Sequence, residues 1–182
     1  MMNRQPTLQG ERLLLRPLCA NDWDGLFAVA SDPLIWAVHP AHDRWHEPVF
    51  RAFFAEALAK GGALVAIDRH SGATVGSSRY QNLSEEAGGS VEIGWTFLAR
   101  ELWGGSFNRE LKRLMLAHAL AAVERVHFIV GEDNLRSRRA MTKIGGVLDD
   151  WIEVRQMAGG PVRHVRYTID RAGFASGPLS RA

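Results

Sequence analysis

The sequence predicts an α/β (α+β) fold in which helices cover a central sheet. Three observations carry this: strand-like and helix-like segments follow one another in the order βααβββαβαββ; the turn pairs Ser71-Gly72 and Gly88-Gly89 separate the middle strands as antiparallel hairpins would; and a strand, helix, strand passage lies at the centre. A chain of 182 residues, 46% hydrophobic and 23% charged, has the size and balance of one globular domain and no signature of disorder. We expect that domain over residues 1–172 and an irregular tail over 173–182, where Gly177 and Pro178 interrupt any period.

Each element has its own signal. Leu13, Leu14 and Leu15 mark a strand over Glu11 to Leu18, and Asn21-Asp22 offers an N-cap for a helix through Ala30 that Pro33 stops. Leu34 to Arg44 has no clear period and reads as a loop or broken helix. Pro48 suits a first helical turn, and Val49, Phe50, Phe53, Phe54, Ala57 and Leu58 form a helical stripe ending at Gly61-Gly62. Strands are expected at Ala63 to Asp68, Thr74 to Asn82 and Ser90 to Ala99. A long helix from Ser106 to Val123 keeps Leu111, Leu114, Met115, His118, Ala119 and Ala122 on one face. Val126 to Val130 reads as a buried strand, Asn134 to Ile144 as a helix stopped by Gly145-Gly146. Val147 to Gln156 and Arg163 to Asp170 read as two closing strands joined by a Gly159-Gly160-Pro161 turn.

Composition narrows the function classes. Cys19 is the only cysteine, so neither an internal disulfide framework nor a multi-cysteine zinc site can form, and a reducing, cytoplasmic setting is expected. Met1 to Arg12 lacks the apolar core of a signal peptide, and no run approaches the ~20 apolar residues of a membrane span, so no membrane partner is expected. Net charge is +2 and the pI is near 9.0. The densest basic cluster, Arg136, Arg138, Arg139 and Lys143, lacks the interleaved aromatics of a nucleic-acid binder, and a phosphate-bearing cofactor accounts for it as well as RNA would. We expect no nucleic-acid partner. His39 and His42 share a metal-ligand spacing without a supporting carboxylate pattern, so no metal is expected.

The sharpest feature runs from Glu92 to Glu110, where a strand passes through a short turn into a helix that opens with Gly104, Gly105 and Ser106. Small residues let backbone N–H groups approach a ligand, and a helix N-terminus adds unpaired donors and the positive end of the macrodipole. That suits a pyrophosphate; the alternative is an ordinary tight turn. The spacing is neither a Walker A loop nor a dinucleotide fingerprint.

Glu92-Ile93-Gly94-Trp95, then Trp103-Gly104-Gly105-Ser106-Phe107, then Asn134-Leu135-Arg136-Ser137 leading to Lys143-Ile144-Gly145-Gly146, resemble the acetyl-CoA-binding core of the GCN5-related N-acetyltransferases (GNAT). Within that superfamily the chain is most similar to the RimJ- and RimL-like branch, the ribosomal-protein alanine acetyltransferases, and the opening Glu-Arg-Leu-Leu-Leu-Arg-Pro-Leu adds to the likeness. The resemblance implies a mixed, mostly antiparallel sheet of about seven strands, splayed in the middle and flanked by about four helices. It also implies transfer of an acetyl group from acetyl-CoA to a primary amine by direct attack in a ternary complex. The alternative is a catalytically inactive acyl-CoA-binding module.

The same resemblance assigns residues. The cofactor would be held by backbone around Thr96, Phe97 and Leu98, by the loop Trp103, Gly104, Gly105, Ser106, Phe107 and Asn108, and by Asn134, Ser137 and Arg138. Glu92 lies on the strand face opposite Val91 and Ile93; it is either the general base, directly or through water, or a solvated carboxylate or structural ion pair. Ser137 could protonate the leaving thiolate, since the only tyrosines, Tyr80 and Tyr167, are not on that helix. Asn134 also reads as a plain N-cap, and Arg138 as part of a solvated face. Trp36 and His39 either wall the acceptor site or form a packed His-Pro turn. The acceptor would be a small-molecule or peptide amine, and the last strands suggest a homodimer. This chain departs from the family's Trp-Gly-Lys-Gly-Tyr-Ala loop at Ser106 and Asn108, and from its glycine-phenylalanine at Gly146. A serine keeps its N–H free and is expected to cap the helix.

Overall fold

In the computed structural model, which describes residues 2–157 and 159–180, apolar alternation produces strands β1 (Leu8–Gln9), β2 (Leu13–Pro17), β3 (Ala63–Asp68), β4 (Thr74–Ser84), β5 (Ser90–Leu98), β6 (Arg125–Gly131), β7 (Val147–Met157) and β8 (Gly160–Asp170). The helices are α1 (Trp23–Ala30), α2 (Pro33–Trp36), α3 (Glu47–Lys60), α4 (Phe107–Leu120), α5 (Leu135–Lys143) and α6 (Arg171–Ser176). The strands form one eight-stranded sheet in the order β1-β2-β3-β4-β5-β6-β8-β7, antiparallel throughout except where β5 meets β6. The expected mixed α/β class with a mostly antiparallel sheet is therefore what the chain adopts; β1 is an added edge strand.

Helices cover both faces of the sheet. β3 shows why: its run Ala63, Leu64, Val65 and Ala66 is buried throughout, which fits a central strand packed on two sides. Leu64 and Ala66 join a core with Leu111, Met115 and Ala119 of α4. Ala63 and Val65 join a second core with Leu26 of α1 and Phe50 and Phe54 of α3.

Strand β5 changes face partway. Between the pairs Ser77↔Phe97 and Arg79↔Gly94 it holds one residue more than β4, and Trp95 takes a φ of 53° there. A bulge of this kind shifts the two-residue period by one. Val91 and Ile93 thus face the α4 core, and so does Leu98, while Phe97 turns into the α1–α3 core. β5 and β6 pair only at Ser90↔Arg125, Val91↔Val126 and Glu92↔His127, after which they part. β5 then stays with β4, and β6 with β8 along Arg125–Gly131.

Several sequence expectations shift in detail. Pro33 stops α1 but also starts α2, whose N-cap Asp32 accepts from Leu34 N–H at 2.9 Å. Asp22 does not cap α1 through its side chain; its carboxylate instead takes Arg16 at 2.6 Å and Cys19 N–H at 2.9 Å. β8 begins at Gly160 rather than Arg163, so Gly160 and Pro161 are strand residues. The tail expected to be irregular contains α6, and Leu179 beyond it is buried in the α4 core; 181–182 lie outside the described residues.

Glu110 of α4 ties that helix to the sheet edge. Its Oε1 accepts from the Arg12 N–H at 2.9 Å and the Leu13 N–H at 3.0 Å. A side chain at Gly10 would collide with this carboxylate. Removing the acceptor strands buried donors, at roughly 2–3 kcal/mol. Glu110→Ala should therefore lower the unfolding free energy by that amount, read as a lower urea midpoint at unchanged slope, and Glu110→Gln should recover most of it; equal midpoints for the two would contradict this account.

Candidate active site

The loop before α4 has the expected shape. Gly104 sits at φ 75° with open space where a Cβ would be, and Gly105 and Ser106 lead into a helix of 14 residues. The first-turn N–H groups of α4 have no intrahelical acceptor by geometry, and no side chain caps them. Ser106 does not fulfil the capping expected of it: its backbone is already helical, and its Oγ is buried without a hydrogen-bond partner. An open glycine, uncapped donors and an orphan hydroxyl at a positive helix end together fit a diphosphate. Trp103 is pinned beside this loop by Nε1–H donating to the Leu98 carbonyl at 3.0 Å, and Arg136 lies 4.2 Å over its ring. Phe107 packs against the α4 core and Asn108 is half-buried in the first turn.

The parting of β5 and β6 opens toward a buried lysine that the sequence did not single out. Lys112 of α4 donates from Nζ to Thr96 Oγ1 of β5 at 2.7 Å, and its Nζ lies 5.2 Å from the Phe128 ring of β6. Thr96 Oγ1 also meets Ser78 Oγ at 2.7 Å. Burial alone drops the Lys112 pKa to about 7. Across the gap, Asn134 caps α5 by accepting the Ser137 N–H at 3.2 Å, as its N-cap reading requires. Ser137 itself is half-buried. Arg138 is engaged within the fold: Nε donates to the Tyr167 hydroxyl at 3.2 Å and Nη1 to the Glu132 carbonyl at 3.0 Å.

Glu92 lies on the face opposite α4, where β5 and β6 are still paired. It is 5% exposed, so the solvated reading fails. Asn82 Nδ2 donates to its Oε2 at 2.7 Å. Burial nonetheless holds the Glu92 pKa above the ordinary range, and Asn82 opposes that shift. His127 is its register neighbour on β6. His127 Nδ1 meets Thr168 Oγ1 at 2.9 Å, and that hydroxyl donates to Asp149 at 3.0 Å. A hydroxyl has one proton, so Nδ1 carries the imidazole proton and Nε2 is bare. Burial lowers the His127 pKa. The sequence missed this network because its members come from three separate strands.

The segment before α3 supplies a wall. Trp36 is core rather than substrate contact: it is 2% exposed, its Nε1–H donates to Ala30 O at 2.8 Å, and its ring packs 5.3 Å from Phe97. An indole buried with its one donor satisfied has nothing left to offer a ligand. His39 stands edge-on to Trp36, and its Nδ1 accepts the Ala41 N–H at 2.9 Å. Burial, Arg44, Arg136 and His164 push its pKa to about 3, so it is neutral in any working range. Pro40 of this segment abuts Gly131 at the end of β6, and His42 abuts Gly159 by the β7–β8 turn.

Residues 12–147 match the acetyltransferase (GNAT) domain model. No curated protein matches the chain. Among solved structures, a GCN5-related N-acetyltransferase from Brucella melitensis aligns over 94% of this chain and 81% of its own at 20% identity, with a TM-score of 0.78. Mycobacterium smegmatis RimJ in complex with CoA-disulfide aligns over 100% and 95% at 18% identity and TM-score 0.78. A Vibrio cholerae spermidine N-acetyltransferase in complex with CoA and spermine aligns over 92% and 100% at 16% identity and TM-score 0.69.

Lys112 gives the site a stability signature. With its pKa lowered from 10.5 to about 7, the folded state binds fewer protons than the unfolded chain between those values, so stability rises with pH across that window and the full penalty applies below it. Lys112→Met should flatten the curve of unfolding free energy against pH between about 7 and 10, and should unfold later in urea than the parent at about pH 6. Parallel curves for the two proteins would refute a buried, depressed lysine.

Proposed function

The chain belongs to the acetyltransferase (GNAT) family, and from that premise we propose that it is an N-acetyltransferase moving the acetyl group of acetyl-CoA to a primary amine by direct attack within a ternary complex. The observation that carries this is the placement of a buried carboxylate, Glu92, at the last paired residues before β5 and β6 part, with an anion-ready helix N-terminus on the same stretch of chain. Acetyl-CoA supplies an activated thioester; the residues must hold it, accept a proton from the amine and return one to the thiolate.

Gly104, Gly105, Ser106 and the first-turn N–H groups of α4 hold the diphosphate, with Trp103 and Asn108 bordering it. Backbone of Thr96 and Phe97 along the free edge of β5 binds the pantetheine arm and polarises the thioester carbonyl; the Leu98 carbonyl is already engaged by Trp103. Asn134 binds the far end of that arm, and the half-buried Ser137 relays a proton to the thiolate, its hydroxyl taking a replacement from solvent water in the same step. Glu92 accepts the ammonium proton. A carboxylate whose pKa is raised by burial is a stronger base than a solvated one, and so is closer to the basicity this step needs.

The acceptor is a small-molecule amine or a protein N-terminus. The RimJ-like branch is our reading of its nearest kin, supported by the opening strand and by the fold shared with the Mycobacterium smegmatis protein. We also propose that the protein acts in the cytoplasm, where the exposed thiol of Cys19 is compatible with a reducing medium. A homodimer formed through β7 is supported by that edge strand's apolar surface: Val147 is 69% exposed and Val154 58%.

Calorimetric titration with acetyl-CoA tests the cofactor half. Gly105 has no strained φ and only ordinary contact at its Cβ position, so Gly105→Trp should fold and yet weaken binding by about tenfold or more. Unchanged affinity would move the diphosphate elsewhere. Glu92→Gln should lower kcat roughly 100-fold or more with acetyl-CoA affinity retained. Asn82 has φ 50° at an irregularity of β4, which glycine accepts, so Asn82→Gly removes a donor that lowers the Glu92 pKa without straining the backbone. The acid limb of kcat/KM should then move to higher pH; a shift to lower pH would exclude Glu92 as the base.

A further inference from the structure

On the face that bears Glu92, the buried Arg79 and the half-buried Arg44 lie together with fewer anions than would match them. Arg79 of β4 pairs with Gly94, one same-face step along from the pair Gln81↔Glu92. Its side chain is 2% exposed. Its guanidinium lies 5.4 Å from the Phe53 ring and 4.9 Å from the Trp95 ring, the latter brought there by the bulge. Nε, Nη1 and Nη2 are all buried, and none has a hydrogen-bond partner among the described residues. The one nearby carboxylate, Glu56, stands 3.8 Å from Nη1, and the same oxygen takes Lys60 Nζ at 2.7 Å. Arg44, from the segment between α2 and α3, places its guanidinium 4.4 Å from the same Phe53 ring and 5.3 Å from Trp36. Burial of the guanidinium, with repulsion from Arg79 second to it, lowers the Arg44 pKa to about 10.

A guanidinium has five N–H donors and cannot shed its charge near neutral pH, so leaving one buried and unbonded is among the costliest arrangements a core can hold. Folding alone gives no reason for it; an apolar side chain of the same length would pack between Phe53 and Trp95 as well. The Phe53 and Trp95 rings flank the Arg79 guanidinium, and its nitrogens, whose fork matches an oxyanion, hold no hydrogen bond among the described residues. The diphosphate loop is an unsuitable source for that oxyanion, because it follows the far end of β5 beyond Leu98, whereas Gly94 lies two residues from Glu92.

We propose that the acceptor is a small amine bearing an oxyanion, a carboxylate or a phosphate, which Arg79 and Arg44 hold while its amino group faces Glu92. This rests on the acetyltransferase reading and narrows it. The site selects against polyamines, because a second cation beside the arginine pair would add to an unmatched positive charge. It fixes the acceptor by its acidic end and leaves the amine free to approach the thioester.

Thiol release from acetyl-CoA would be followed with three sets of acceptors: the L-amino acids; phosphoethanolamine; and the uncharged or cationic counterparts, namely amino acid amides, ethanolamine, spermidine and an alanine-terminated peptide amide. Turnover should be confined to anionic acceptors, with the better of the first two sets distinguishing carboxylate from phosphate. For the best acceptor, kcat/KM should fall about 100-fold in Arg79→Gln and in Arg44→Met. Arg79→Lys should not restore it, since the fork is lost. Arg44 lies outside the sheet, so Arg44→Met decides the matter if Arg79→Gln does not fold. The inference is overturned if amides, polyamines or the peptide react as well as the anionic acceptors, if both arginine variants keep full kcat/KM, or if a protein that binds acetyl-CoA turns over no anionic acceptor. Failure to bind acetyl-CoA by calorimetry would instead remove the acetyltransferase reading itself.

Discussion

Beyond Glu92 and His127, β5 and β6 separate, and each brings into the middle of the sheet an edge whose backbone N–H and C=O groups no longer pair with the other strand. Such groups are costly to bury and are almost always bonded to something. Most of what is unusual in this protein surrounds that opening. The bulge at Trp95 bends β5 away, Lys112 reaches beneath the gap to Thr96, and α5 begins with Asn134 shortly after β6 ends. A sheet interrupted at its centre would be a weakness in a protein with no ligand to place there. In an acyl-CoA enzyme it is a slot whose walls are preformed donors and acceptors.

The same region concentrates buried charge. Glu92, Lys112 and Arg79 are each nearly inaccessible to water, and desolvation is the leading influence on all of them. Elsewhere charged side chains mostly pair at the surface, as Arg51 does with Glu47 and Arg163 with Glu132, and the buried carboxylates of Asp22 and Glu110 are bonded to scaffold donors. Surface pairs of this kind add little stability. The contrast divides the molecule into a conventional scaffold and a strip where stability has been given up for electrostatic control.

Strand and helix positions were legible because burial follows simple periods. The stripe Phe50, Phe54 and Ala57, the run Ala63 to Ala66 and the glycine pairs at the hairpin turns each point to their element. Glu92 and Asn134 were legible through motif order. Trp36 stayed open between acceptor wall and packed turn because an aperiodic segment gives no burial signal; in the fold its indole N–H is satisfied by Ala30 and its ring fills the second core. The bonds of Arg138 to Tyr167 and the Glu132 carbonyl were not legible, because no local pattern announces the approach of those groups. Lys112, Arg79 and the His127–Thr168–Asp149 chain stayed hidden for a related reason. Each looks like a routine polar residue until the sheet order brings its neighbours together.

The bulge in β5 also sets a rule of parity for descent. Because one extra residue decides which side chains before and after it face α4 and which face α3, a single insertion or deletion between Glu92 and Leu98 would turn half of the strand inside out. Side chains along this strand are free to drift one at a time, but its length is not. Lineages that alter the acceptor would be expected to do so by substitution here, and to confine their gains and losses of residues to the aperiodic segment between α2 and α3, where no phase has to be kept.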